Sequence, residues 1–349
     1  MMYGEKGIAE FAKKWNADAI VAQLRDLNIA QLHSLGIPII VQNYGERHPS
    51  VSNLTGNYYD TGVMAAKYFL SRGYRNFAFY GYKNTIWSRE RGLGFADEIK
   101  RNGYTSKILE NKNPDSRAWE YNHERIGKWL LGLPKPVALF ACDDFYALQI
   151  SETCNMYNIS VPDDIAILGV DNDELYCNLS NPPLSSIVLD EENGGYRVGK
   201  LIHQLCTNKT TKPCNIVIEP LYIESRLSSE KYAISNKYIQ KVLKYISEHY
   251  KDHISVSDLV KQIPLSRRVL EIKFKEATGT SVYQCIQEYK IDKFVQLLMS
   301  TDLTLYEAAY QAGFEDYKNV SRIFRKYKSM SPAEYRKRHK ENNLLNHND

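Results

Sequence analysis

Two groups of side chains in this 349-residue chain have the types and spacing to do chemistry. The first is polar and cationic. Tyr317, Lys318, Ser321, Arg322 and Arg325 fall on one face at helical spacing, while Val320, Ile323 and Phe324 fall on the other. Further upstream, Arg267, Arg268, Glu271 and Lys275 point one way, and Val269, Leu270 and Phe274 the other. Such faces neutralise phosphates and bring a few donors and acceptors to base edges, as a helix in a DNA major groove does. The second group is acidic and aromatic: Asn57, Trp87, Arg91, Asp143 and Asp171 each stand just past a short apolar run. Carboxylates, an amide and a guanidinium pair with vicinal hydroxyls, and an indole covers the C–H face of a pyranose, so this set suits a sugar.

The first group needs helices to carry it. Thr304 predicts the cap of a short helix with Leu305, Ala308 and Ala309 inside; Gly313 breaks it, and Asp316 starts a second helix that runs to about Tyr327. The same device precedes it. Ser255, with Asp258 three positions on, opens a helix holding Val256, Leu259 and Val260; Pro264 ends it, and Ser266 caps the next. A helix from Val282 to Met299 joins the two helix-turn-helix units, and Arg336, Lys337, Arg338 and Lys340 form a basic end expected on phosphates.

From ISVSDLV through LSRRVLEIKFKEATG and LLMSTDLTLYEAAYQAGF to SRIFRKYKSMSPAEYR, this stretch resembles the DNA-binding domain of the AraC/XylS family of transcription activators. It departs from the family at Val320, where phenylalanine is usual, and at Ser329, where glycine is usual. The resemblance implies two recognition helices entering successive major-groove segments on one face of DNA, about 34 Å apart.

The second group needs a sheet. ADAIVAQL, IPIIVQN, VSNLT, NFAFYG, VALFAC and IAILGV read as strands. Helices are expected over residues 5 to 16, Thr61 to Arg72, Arg89 to Asn102, Ala118 to Leu131, Phe145 to Tyr157 and Glu192 to Cys206. An open parallel sheet binds ligands at the carboxyl ends of its strands, where the second group lies. For each of these residues a loop or capping role competes: Asp143 and Asp163 fit N-caps, and Asp171 could cap the turn at Asn172 and Asp173. No GxGxxG or P-loop lysine follows a strand, so the reading calls for no nucleotide and no other cofactor.

NYYDTGVMAAKYFLSRGYRNFAFYG, SRERGLGFADEIKRNGY, ACDDFYALQISETCNMYNISVPDDIAILGVDND and NPPLSSIVLD resemble the periplasmic-binding-protein-like sensor of the LacI/GalR family. The resemblance implies effector contacts at Asn57, Arg91, Asp143 or its neighbour Cys142, and Asp171, with Trp119 stacking on the sugar. It also implies a two-lobed α/β sensor that lacks its first βαβ unit, because that family's sensor begins with a strand, a helix and a second strand before the match starts. The expected organisation is a sensor over 1–228, a linker over 229–236, an all-α double helix-turn-helix domain over 237–340 and a tail over 341–349.

Charge is divided the same way. The formal net charge is +4. Residues 231–349 carry 21 Lys+Arg against 14 Asp+Glu, a net +7, which leaves −3 for the rest. Six cysteines, at 142, 154, 177, 206, 214 and 285, lack metal-ligand spacing and are expected as buried reduced thiols. No apolar run is long enough for a membrane span and no leader pattern opens the chain, so a cytoplasmic protein is expected.

The function expected is a sugar-responsive, sequence-specific transcription regulator. By resemblance of the joined order it is an activator answering to a pentose such as xylose. Its implied partners are an operator duplex, the sugar, a second copy of the chain and RNA polymerase, and not a membrane. The competing expectation is a response regulator phosphorylated on the pair Asp143 and Asp144, although a receiver carries its acidic pair near its start. An enzyme lacks a nucleophile elbow, a metal cluster and a phosphate loop here.

Overall fold

In chain order the elements begin α1 (Glu5–Trp15), β1 (Ile20–Leu24), α2 (Ala30–His33), β2 (Ile39–Asn43), β3 (Ser52–Gly56), α3 (Tyr58–Ser71), β4 (Asn76–Tyr82) and α4 (Ile86–Arg101). Next come β5 (Ser106–Asn111), α5 (His123–Leu131), β6 (Val137–Ala141), α6 (Asp144–Met156), β7 (Ile165–Val170) and α7 (Glu174–Leu179). β8 (Ser185–Leu189), α8 (Glu191–Thr207), β9 (Asn215–Ile218) and β10 (Pro220–Glu224) close the α/β part. The remainder is helical: α9 (Lys237–His249), α10 (Val256–Lys261), α11 (Arg267–Thr278), α12 (Val282–Ser300), α13 (Leu305–Gln311), α14 (Tyr317–Lys328) and α15 (Pro332–His339). This computed structural model describes residues 5–24, 29–43, 46–111, 123–207, 212–230, 232–234, 236–252 and 254–339.

The strands divide into two sheets, and each sheet is the centre of a lobe. The first has the order β1-β2-β3-β9, all parallel; the second runs β10-β8-β7-β6-β4-β5, parallel except for β10 against β8. β6 and β7 are buried along their whole length, which is why they read as unbroken apolar runs. Separate apolar clusters lie on the two faces of the second sheet. β5 went unread because it is a half-exposed edge strand. β8, β9 and β10 are short strands whose pairing is fixed by partners distant in sequence.

Packing of α3 on α4 sets the position of Arg91. A Cβ at Gly62 would meet the Arg91 carbonyl oxygen at 2.0 Å, and one at Gly94 would meet that of Tyr59 at 2.0 Å, so both helices need glycine there. α4 starts at Ile86, earlier than the expected Arg89, because Thr85 is the last extended residue. Arg91 therefore lies in the second turn and not at the helix start. Two further expectations are corrected by burial. Cys206 and Cys214 are exposed, and Cys285 is half-buried, so only Cys142, Cys154 and Cys177 are buried thiols. Val269 is 37% exposed, since α11 buries a narrow stripe at Leu270 and Phe274.

The helical part has two cores. One gathers α9, α10 and α11 around Ile239, Leu259, Leu270 and Phe274; the other gathers α12 to α15 around Phe294, Ala308, Val320 and Phe324. Leu221 of β10 belongs to the second core, which joins it to the α/β part. The joining segment is packed: Ser228 Oγ donates to the Ile167 carbonyl at 2.7 Å, and Ala233 N–H to the Arg72 carbonyl at 2.9 Å.

Candidate functional site

The chain crosses between lobes at Asn57, Asp190 and Glu219, and the cleft opens above these crossings. Arg91 is its organising residue. Only 3% exposed, its guanidinium donates from Nη1 to the Cys142 carbonyl at 2.5 Å and from Nη2 to Asp171 Oδ1 at 3.0 Å, with the Tyr58 ring 5.6 Å away. A buried guanidinium is tolerated only with such partners. Burial disfavours its charge, but Asp171 and Asp143 outweigh this and raise the pKa.

Asp171 follows β7 in a left-handed conformation, φ 98°, and Asn172 follows at φ 54°. Neither is glycine, and strain of this kind persists where neighbours impose it. Here the Asp171 N–H donates to the Ile187 carbonyl at 3.0 Å, while Asn172 is held by Ser186 Oγ at 2.9 Å and by Arg226 Nη2 at 2.8 Å. The cap of α7 is Asp173, whose carboxylate accepts from the N–H groups of Leu175 and Tyr176. Asp171 is thus free of the capping role, and its carboxylate is 40% exposed.

Two more carboxyls lie close by. Asp143 caps α6 by accepting from Tyr146 N–H, as the capping expectation had it. Burial and the charge of Asp171 push its pKa up to about 7, against the pull of the Tyr146 N–H and Arg91. Asp144 is buried and is likewise pushed up to about 7, chiefly by burial, although the Ser186 hydroxyl and Asp173 N–H favour its charge. Near neutral pH the half-buried Asp143 carboxyl can offer an O–H donor as well as acceptors, which matches the mixed character of sugar hydroxyls, whereas Asp144 is enclosed.

The other expected ligand residues are placed as follows. Asn57 caps α3, and its amide donates to Asp60 Oδ2 and to Glu219 Oε2 at 2.7 Å. It lines a cavity of about 310 Å³ between the lobes together with Arg47, Tyr58, Tyr59, Glu90 and Leu93. Trp87 sits half-buried in the first turn of α4. Trp119 lies outside the described residues. Asp163 is in a turn before β7, with Ser160 Oγ donating to its Oδ2 at 3.5 Å. Exposed ion pairs cross the mouth, Arg89 to Glu46 at 2.7 Å and Arg47 to Glu90 at 3.9 Å; pairs of this kind add little stability. The sequence reading missed Tyr58, and also Glu191, whose carboxyl pKa is raised by burial and by Asp171. The signal for Glu191 was the run SSIVLD, a strand exit into a helix.

On the helical part, Ser255 and Thr304 form full capping boxes with Asp258 and Glu307, and Ser266 and Asp316 cap the second helix of each unit. Gly313 has φ 85°, and a Cβ there would meet the Tyr250 carbonyl oxygen at 2.1 Å. Arg267, Arg268, Lys318, Arg322 and Arg325 are exposed, while Glu271, Tyr317 and Ser321 are half-buried. Tyr317 rests on Tyr306 with ring centroids 4.6 Å apart. The basic end differs from expectation. Arg336 is buried, and Arg338 lies 3.9 Å from Glu219, so α15 faces the sensor. Lys340 lies outside the described residues.

Residues 66–229 match the periplasmic binding protein-like domain, and residues 259–338 match a helix-turn-helix domain. The chain is a transcription regulator in which a two-lobed sensor of periplasmic-binding-protein type is joined to a double helix-turn-helix domain of AraC type. Along nearly its whole length it is similar to xylose operon regulatory proteins. That of Escherichia coli (strain K12) is 27% identical over 332 residues, covering 93% of this chain and 85% of the relative. That of Haemophilus influenzae is 27% identical over 328 residues, covering 91% and 84%. A solved xylose-binding transcription activator superposes with a TM-score of 0.56 at 25% identity, covering 95% of this chain and 93% of that one. A LacI family regulator from Enterococcus faecalis with bound ribose shares the sensor fold, with a TM-score of 0.54 at 16% identity over 64% of this chain and 81% of that one.

Proposed function

We propose that this chain is an activator whose sensor binds a pentose, D-xylose foremost, in the cleft at Arg91 and Asp171, and whose helical domain binds operator DNA in a sugar-dependent way. The observation that carries the reading is the buried Arg91 holding the half-exposed carboxylate of Asp171 at the end of β7, while Asp173 does the capping. Asp143 supplies a further polar contact; Asn57, Trp87 and Trp119 complete the ligand set. Arg267, Arg268, Glu271, Tyr317, Lys318, Ser321, Arg322 and Arg325 meet DNA. Residues 1–228 sense, 229–236 link and 237–340 read DNA. The protein acts in the cytoplasm as a homodimer that meets RNA polymerase, and its work includes no catalytic step. The phosphorylation reading has little to stand on, since Asp144 is 1% exposed and accepts from Asp173 N–H at 2.8 Å.

Isothermal titration of the full chain with D-xylose, L-arabinose and D-glucose tests the sensor. Saturable heat with D-xylose and weaker or no heat with D-glucose is expected. No heat with any of the three would remove the sugar reading.

A further inference from the structure

The last helix of the DNA-reading part is seated on the hinge of the sensor. The three crossings are bonded to one another. Asn57 N–H donates to the Ile218 carbonyl at 2.8 Å, Asp190 N–H to the Glu219 carbonyl at 2.9 Å, and the Asn57 amide to Glu219 Oε2 at 2.7 Å. Onto this knot α15 brings its C-terminal residues. His339 Nδ1 lies 2.6 Å from Asp190 Oδ2, and the two side chains are 5% and 6% exposed. The Asn193 amide donates to Asp190 Oδ2 at 3.0 Å and to the Arg338 carbonyl at 2.9 Å. Tyr335 Oη donates to the Leu221 carbonyl at 3.4 Å. Separating a buried histidine from its carboxylate leaves a desolvated polar group unsatisfied, so this contact resists being pulled apart.

Short routes lead from it in both directions. Toward DNA, the Tyr335 ring lies 4.5 Å from His339 and 5.4 Å from Phe324, a core residue of α14. Toward the cleft, the residue after Asp190 is Glu191, which feels the charge of Asp171. Lobes that open or close turn about the crossings. α15 is held at two of those crossings, Asp190 and Glu219, and by their near neighbours Asn193 and Leu221.

We propose that α15 is the transmission element of this regulator: movement of the sensor lobes reaches the second helix-turn-helix unit through the His339–Asp190 bond. The trigger rests on the sugar reading above; the mechanical link does not.

Amide hydrogen exchange of the full chain, followed by segment, tests the link in two arms. Without sugar, His339→Ala speeds exchange in 332–339 and also in the crossings 188–194 and 217–221, by about tenfold, or ~1.4 kcal/mol of local stability. His339→Asn, whose amide nitrogen falls where Nδ1 was and can donate to the same carboxylate, stays close to the parent. Loosening confined to 332–339, or an asparagine variant as loose as alanine, overturns the proposal. Asn193→Ala removes the amide that joins Asp190 to the Arg338 carbonyl, and should His339→Ala not fold it is expected to loosen the same two groups of segments. With D-xylose, the parent changes exchange at 165–173 and at 332–339, and His339→Ala keeps the first change and loses the second. Survival of the second change in His339→Ala overturns the route. If D-xylose alters no segment, the sugar reading fails while the sugar-free arm still decides the hinge link.

Discussion

Asp171 and Asp144 are both acidic residues at the carboxyl edge of the second sheet, and their surroundings separate them. Asp171 keeps an exposed oxygen edge beside Arg91, whereas Asp144 is enclosed, with Oδ1 unpartnered and Oδ2 on the Asp173 N–H. A carboxylate accepting from sugar hydroxyls makes charge-assisted bonds worth roughly 1.5–3 kcal/mol. Asp171→Asn keeps the shape and loses the charge, so D-xylose affinity should fall at least about tenfold, while DNA affinity of the free protein stays unchanged; titration calorimetry and DNA titration read the two. For Asp144 the observable is pH. Its pKa is about 7 in the fold against an ordinary 3.8, so the native state holds the proton longer than the unfolded chain. Its contribution is complete below the lower value and is lost as pH rises through the upper one. Asp144→Asn should therefore flatten the decline of melting temperature between about pH 4 and pH 7, relative to the parent. A variant that declines as steeply as the parent would remove Asp144 as the cause. At this scale Asp171 and Arg91 were legible because both follow apolar runs. Glu191 was not: the run SSIVLD marks a strand exit there, but nothing local says that the exit crosses between lobes and comes near Asp171.

Among elements, the capped helices of the DNA-reading part were the most legible, because Ser255, Ser266, Thr304 and Asp316 act within a few residues of themselves. α14 ends on Ser329 at φ 59°, a left-handed C-cap where glycine carries no Cβ penalty. Ser329→Gly is expected to raise stability by about 1 kcal/mol, read as a higher urea midpoint with unchanged slope. Side chains on the exposed faces of α11 and α14 should sort by role. Alanine at Arg268, Lys318 or Arg322 is expected to cost about 1–3 kcal/mol at particular base pairs, seen by titrating duplexes that differ one base pair at a time. Equal loss on every duplex would reassign the residue to phosphate contact. α15 was misread as a basic tail because Arg336 and Arg338 look solvated in sequence. What turns α15 toward the sensor, burying Arg336 and bringing Arg338 near Glu219, is the antiparallel edge strand β10, paired with β8 and more than one hundred residues away.

For the whole molecule, the division into an acidic sensor and a basic reader was visible in charge and in strand rhythm, whereas the docking between them was not. Leu221, Asp190 and Glu219 lie more than one hundred residues from α15, and only the tertiary fold brings them to it. In the proposed account that docking lets a single chain turn sugar occupancy into DNA affinity, because differential contact in two states is what linkage requires. The direct measurement is DNA affinity of the full chain, by fluorescence anisotropy at fixed salt, with and without saturating D-xylose. The duplex used is the one the protein itself selects from a random pool. A coupling of about tenfold or more in the parent, with none in Asp171→Asn, is the result predicted. Superimposable titrations with and without sugar, from a protein whose calorimetry shows D-xylose bound, would contradict the account.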